Sequence, residues 1–236
     1  MLNLNENENQ NDREPIPSGT KCVLQMRINQ PEASQKSDLS IALTRSASSD
    51  AHYLNCEFDV LSPKKYKDGN RKVFQNFTVE GGKRDSNGKS IAGRISGTFL
   101  RAAWEAANNI RPDDMSNEAV QKRHVQDYTN FDGIVFPAIL AIRAAQNGYP
   151  AKNEIYQVIT PDKPEFQKLM AGEEVEPANI GIIGEGKKKG GATSSAKPAW
   201  AGASAAAAQP ETAENMPFQK PAAAASAADM KPAWAR

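Results

Sequence analysis

The sequence predicts a mainly-β α+β domain: five antiparallel strands, with one strong helix between the third and the fourth. Three observations predict it. Five stretches alternate apolar and polar residues with period two, the mark of strands buried on one face. One longer stretch carries apolar residues at helical spacing. The alternation itself favours an antiparallel sheet, because parallel strands covered on both faces read as continuous apolar runs.

The first predicted strand, KCVLQMRI at 21–28, puts Cys22, Leu24, Met26 and Ile28 on one face. A short strand or a long excursion occupies SDLSIALT at 37–44. The second main strand, 53–60, places Leu54, Cys56, Phe58 and Val60 together. In the third, 71–79, Val73, Phe77 and Val79 share one face, and Phe74, Asn76 and Thr78 the other. Ser90 is then an N-cap for a helix whose stripe is Ile91, Ile95, Phe99, Ala103 and Ala106. Gly93 and Gly97 weaken that helix but permit close packing on a sheet. A shorter polar helix is expected over 117–126, after Ser116. The fourth strand, 133–143, offers Ile134, Phe136, Leu140 and Ile142, and the fifth, 153–160, sets Ile155 and Ile159 opposite Tyr156 and Val158.

Three strands, a helix and two further strands is the order of the OB-fold, a small Greek-key barrel. The expected fold is therefore an OB-like five-stranded antiparallel barrel, with an α+β sheet of another topology as the structural rival.

Composition divides the chain into three parts. Residues 1–14 are Asn/Glu-rich and are expected to form a disordered arm. Residues 15–170 form the expected folded domain, long enough for a sizeable core. Residues 171–236 are expected to be a disordered tail, because from 196 to 236 there are 17 alanines interrupted by five prolines. Each proline deletes a donor and clashes with the preceding turn. The formal net charge of +1 hides an uneven distribution: residues 64–101 hold ten Lys/Arg against three Asp/Glu. That excess suits an anionic partner.

Two cysteines without a C-x-x-C pair, and only two histidines, argue against a Cys/His metal site and for buried thiols in a reducing compartment. The polar amino terminus shows no signal peptide, and the longest strongly apolar run, IVFPAILAI, is too short to span a bilayer. A soluble intracellular protein with no membrane partner is expected. No paired carboxylates and no activated nucleophile are evident, so neither an enzymatic activity nor a cofactor is expected.

VEGGKRDSNGKS at 79–90 imitates a phosphate-binding loop at a strand-to-helix junction. A P-loop has four residues between its glycines, G-x-x-x-x-G-K-[ST], whereas five separate Gly82 from Gly88. No later apolar strand ends in a magnesium-binding Asp. The loop therefore reads as a solvated connection whose cations can meet a polynucleotide backbone.

In an OB-like barrel the second and third strands and their neighbouring loops bind oligonucleotides. Single-strand binding needs cations along phosphates and rings on which unpaired bases stack. The second-to-third turn supplies Lys64, Lys65, Tyr66, Lys67, Arg71 and Lys72. The glycine loop and the helix add Lys83, Arg84, Lys89 and Arg94, and the last hairpin adds Tyr149 and Lys152. Tyr53, Phe74 and Tyr156 are candidate stacking platforms, with packing under the helix or a loop as the structural alternative for Phe74 and Tyr156. Trp104, among helix alanines, reads as a helix–sheet contact. In the tail, Lys-Pro-Ala-Trp occurs at 197–200 and again at 231–234, with MPFQKPAAAA between. Trp200, Phe218 and Trp234 are thus candidate partner-binding residues, since proline restrains the chain and the ring supplies buried area.

On IPSGTKCVLQMRI, YLNCEFDVLSPKKYKDGNRKVFQNFTV and FDGIVFPAILAI through YPAKNEIYQVITPD, the chain resembles bacteriophage single-stranded DNA-binding proteins. It is also similar to small phage early-region proteins found with replication and recombination genes. The resemblance covers residues 16–161. It implies a non-enzymatic single-stranded DNA binder in the cytoplasm of a bacterial host, with the tail recruiting replication or recombination partners. Many bacterial single-strand binders end in an acidic tip with a terminal Phe, whereas this chain ends KPAWAR. A phage structural or adaptor protein, with the barrel as scaffold and the KPAW motifs as docking points, is the alternative. Oligomeric state, DNA versus RNA preference and strand polarity are left open.

Overall fold

A computed structural model describes residues 14–146 and 148–184. The elements are β1 (Lys21–Ile28), β2 (Leu43–Arg45), β3 (His52–Ser62), α1 (Lys64–Asp68), β4 (Lys72–Glu80), α2 (Ile91–Ala107), α3 (Asn117–Lys122), β5 (Val135–Arg143), β6 (Lys152–Val158) and α4 (Phe166–Met170). All strands join one six-stranded sheet in which every ladder is antiparallel. Along it run β4, β3, β1, β5 and β6, while the short β2 pairs the amino-terminal end of β3.

Period-two patterning decides which faces meet. Met26 lies opposite Phe58, Leu24 opposite Val60, and Leu24 also faces Phe136 across β5. These side chains are fully buried or nearly so, and they form the floor of the core. Helix α2 is the lid over that floor. Ser90 caps it by accepting from the Gly93 amide at 3.0 Å, and its hydroxyl donates to the Gly81 carbonyl at 2.7 Å. Phe99 stacks on Phe77 of β4, with ring centroids 4.4 Å apart, and meets Phe136 of β5 edge-on at 6.2 Å. One helical side chain thus fixes α2 across both halves of the sheet, in the two ring geometries that π quadrupoles favour. At Gly93 a Cβ would collide with the Val79 carbonyl, so glycine here sets how closely the helix sits on β4.

The expected closed barrel is not what the sheet shows. No backbone ladder joins β4 to β6 among the described residues, and the sheet is open. The two edges are linked through a side chain instead: Gln75 Oε1 accepts the Ile155 amide at 3.0 Å. A bulge in the β5–β6 pairing, between Ile139 and Leu140, inserts Tyr156 as an extra residue on β6.

Two elements differ from the sequence-based expectation. The Lys64–Asp68 stretch, expected as a turn, is a five-residue helix. Ordered structure also continues past Met170 into residues expected in the tail. Ala178 donates to the Gly19 carbonyl at 2.8 Å, and Ile183 donates to Ile142 at 2.8 Å while accepting from Ala144. Val175, Ala178, Ile180 and Ile183 pack half-buried against the core, forming a strap over the β1 and β5 ends. Gly19 sits at φ +87, and any Cβ there would strike the Ala178 backbone.

Candidate nucleic-acid interface

The predicted cationic and aromatic residues separate into two groups at opposite ends of β4. The strand has nine residues, so the groups lie roughly 25–30 Å apart.

At the Lys72 end, α1 begins after Pro63 and is terminated by Gly69 and by Asn70 at φ 48. Lys64, Lys65 and Lys67 are exposed, and none forms an ion pair among the described residues. Tyr66 is half-buried, with the Lys65 ammonium 4.8 Å from its ring centre. Arg71 and Lys72 are already engaged. The Arg71 guanidinium donates to the Glu14 carbonyl at 2.6 Å. Lys72 bonds the Glu57 carboxylate and lies 3.6 Å from Asp59, and the Glu57 bond foremost raises its pKa. Glu57 and Asp59 face solvent beside it, so this part of β3 is not a cationic surface.

Phe74 lies one alternate position along, on the solvent face of β4, and is 58% exposed. It lines a groove of about 510 Å³ between β4, the first turns of α2 and the start of β6, together with Asn76, Ile95, Arg143, Lys152 and Glu154. Arg143 clamps Glu154 with both arms of its guanidinium, one at 2.7 Å, which removes this pair from the available charge. Lys152 is exposed and has no ion pair among the described residues. Tyr149, in the hairpin between Arg143 and Lys152, is 76% exposed. The α1 end and this groove are tied by residues 14–16. Glu14 accepts from Arg71, and Ile16 exchanges two hydrogen bonds with the Asn153 side chain, at 2.8 and 2.7 Å.

The glycine loop forms the second group. Gly81, at φ 86, runs against Asp50 and Ala51. Arg84 pairs with Glu80 at 3.0 Å and with Asp50 at 3.6 Å, and it donates to the Gly88 carbonyl. Asp85 Oδ1 accepts from the Asn87 and Lys89 amides at 2.9 and 3.0 Å, and those bonds, Lys89 first, hold its carboxyl below the usual range. Asp50 accepts from Gly82 in the same way. The Gly82, Asn87 and Lys89 amides are therefore bound to the protein's own carboxylates, and those of Asp85 and Gly88 to backbone carbonyls. Lys83, Lys89 and Arg94 remain exposed on this rim.

Tyr156 is corrected outright: it is 7% exposed, because the bulge turns it into the core beside Ile155. Trp104 lies edge-on to Phe131 at 5.4 Å and donates its indole N–H to the Lys122 carbonyl at 2.6 Å. Trp200, Phe218 and Trp234 lie outside the described residues. Sequence reasoning missed the β4–β6 groove, the Arg143–Glu154 clamp and the acids that occupy Lys72. Glu57 and Asp59 carried a signal, since both alternate with the buried residues of β3 and must share a face with Lys72.

Among the described residues, no group of three or more His, Cys, Asp or Glu is arranged to hold a metal ion, and no helix is long and apolar enough to cross a membrane. No protein-family model matches the chain, and no curated protein matches it in sequence.

Proposed function

We propose that this domain is a non-enzymatic single-stranded DNA-binding module built on an OB-like sheet. The observation that carries the reading is the exposed ring of Phe74 in one groove with Lys152, which has no ion pair among the described residues, and a second exposed ring, Tyr149, in the hairpin three residues before Lys152. The groove's Phe74 lies two residues from Lys72, the end of β4 that follows the α1 residues Lys64, Lys65 and Lys67. Rings supply sequence-tolerant stacking and lysines replace counterions, the two requirements of single-strand binding. The OB-like part is supported by the strand order β4-β3-β1-β5-β6, by α2 falling between β4 and β5, and by the Gln75–Ile155 bond across the gap. Following the resemblance to phage proteins, the module would coat strands exposed in replication or recombination in a bacterial host.

The test is fluorescence anisotropy of a labelled dT oligonucleotide titrated with the full chain at several salt concentrations. The expected result is largely sequence-independent binding that weakens linearly in log–log against salt. Phe74→Ala with Tyr149→Ala should weaken it at least tenfold, given about 1–3 kcal/mol per stacked base. Absence of binding at low salt would falsify the proposal.

A further inference from the structure

Phe74 does not stand alone on its face of the sheet. Its direct cross-strand partner is Glu57 of β3, and Glu57 in turn lies opposite Arg27 of β1. One rung along, Lys72 lies opposite Asp59, and Asp59 opposite Gln25. None of these side chains is buried: Arg27, Lys72 and Phe74 are exposed, and Gln25, Glu57 and Asp59 are half-buried.

The charged groups on these two rungs hold one another. Lys72 bonds Glu57 and lies 3.6 Å from Asp59. The Arg27 guanidinium lies 3.5 Å from Asp59 and donates to Gln25 Oε1 at 3.0 Å. Two cations and two anions cancel, so this face adds no net attraction for phosphate, in contrast to the lysines of α1. What it presents is a fixed pattern of donors and acceptors. Lys72 takes Oε1 of Glu57, and a carboxylate has about four acceptor positions, so Glu57 keeps capacity to accept.

The spacing suits a nucleobase. Residues directly opposite on one face hold their Cβ atoms about 4.5–5.5 Å apart. A base laid flat on the Phe74 ring therefore brings an edge to the Glu57 carboxylate. An ionised carboxylate only accepts. Cytosine offers it an exocyclic amine, whereas thymine presents the oxygen O4 at that position and flanks its one ring N–H with two oxygens. Lys72, held on the same carboxylate, has donors for the cytosine ring nitrogen beside that amine.

We infer that Glu57 reads the base stacked on Phe74, favouring an amine-bearing base, and so cytosine over thymine, in a strand otherwise held without regard to sequence. The inference rests on the single-strand reading above and gives the acids beside the ring a role within it. The bias is modest, about three- to tenfold, because one hydrogen bond at a half-buried surface position decides it.

The test is fluorescence anisotropy of the full chain with labelled dC and dT oligonucleotides of equal length at one low salt concentration and neutral pH. The two pyrimidine rings are the same size, so stacking cancels and the base edge decides the ratio of affinities. The unmodified chain should bind dC about three- to tenfold more tightly than dT. Glu57→Gln keeps the side-chain shape and an oxygen for Lys72 but turns an N–H toward the base, so the ratio should fall to one or below. Asp59→Asn removes the same charge one rung away and should leave the ratio unchanged. Each ratio is taken within one preparation, so an altered folded fraction cancels from it. Equal affinity of the unmodified chain for dC and dT overturns this inference and leaves the single-strand reading standing. A preference that survives Glu57→Gln, or is lost equally in Asp59→Asn, does the same. Binding of neither oligonucleotide overturns the reading itself and this inference with it.

Discussion

The Arg123 guanidinium lies 2.6 Å from the Glu105 carboxylate, which is almost fully buried on α2. Arg123 also donates to the Asp114 and Arg111 carbonyls, at 2.6 and 2.8 Å, so one side chain closes the whole connection between α2 and the end of α3. Arg101 shares Glu105 from the solvent side at 2.8 Å.

Removing Arg123 leaves the buried Glu105 carboxylate with only its solvent-side partner Arg101 and takes one hydrogen bond from each of two carbonyls. Arg123→Ala should cost about 3 kcal/mol in urea unfolding, whereas Arg101→Ala, losing an exposed partner, should cost under about 1 kcal/mol. Equal costs would show that the two arginines share the burden.

The two glycines of α2 should respond with opposite sign. Gly97→Ala meets open space and should stabilise by about 0.5–1 kcal/mol. Gly93→Ala drives a Cβ into the Val79 carbonyl and should destabilise by about 1–3 kcal/mol. Thermal melts of the single variants decide this.

Alkali should weaken the fold through its thiols. Burial raises the Cys22 pKa from 9.0 to about 12, and burial foremost, then the Asp132 charge, raises that of Cys56. Above pH 9 the unfolded chain releases thiol protons that the folded chain keeps, so unfolding becomes easier as pH rises. For Cys22 this continues to about pH 12. The slope approaches about 1.4 kcal/mol per pH unit for each thiol. Below pH 9 neither thiol contributes a slope. The double change Cys22→Ala, Cys56→Ala should flatten the pH 9–11 limb, and a disulfide-exchange reagent should label neither thiol in the native protein.

Phe74 and Tyr156 should separate binding from folding. Phe74→Ala should leave stability within about 0.5 kcal/mol while weakening oligonucleotide binding. Tyr156→Ala opens the core and should cost about 3 kcal/mol. A Tyr156→Ala protein of unchanged stability would contradict the inward placement of that ring.

The contrast between those two aromatics shows where the sequence was readable. Phe74 keeps strict alternation with Val73 and Gln75, so its face follows from period two alone. Tyr156 obeys the same alternation on paper, yet a one-residue bulge, set by the partner strand, buries it next to Ile155. Strand 21–28 and the Ser90 start of α2 were legible because their signals are local. Helix α1 was hidden by its proline, glycine and lysines, which read equally as a turn. The β4–β6 groove depends on bringing residue 74 beside residue 152, which no local pattern encodes. The strap was illegible for another reason: its anchors are backbone hydrogen bonds with a few spaced apolar side chains, and its composition is that of the tail.

That strap sets an order on synthesis. The Gly19 carbonyl takes its partner from Ala178, made some 160 residues later. At ribosomal speeds of about 5–20 residues per second, the interval is on the order of 10–30 s. Throughout it the β1 end, and once residue 143 is made the β5 end, awaits its cover on a nascent chain, so this side of the sheet stays open to chaperones and proteases until residue 178 has emerged.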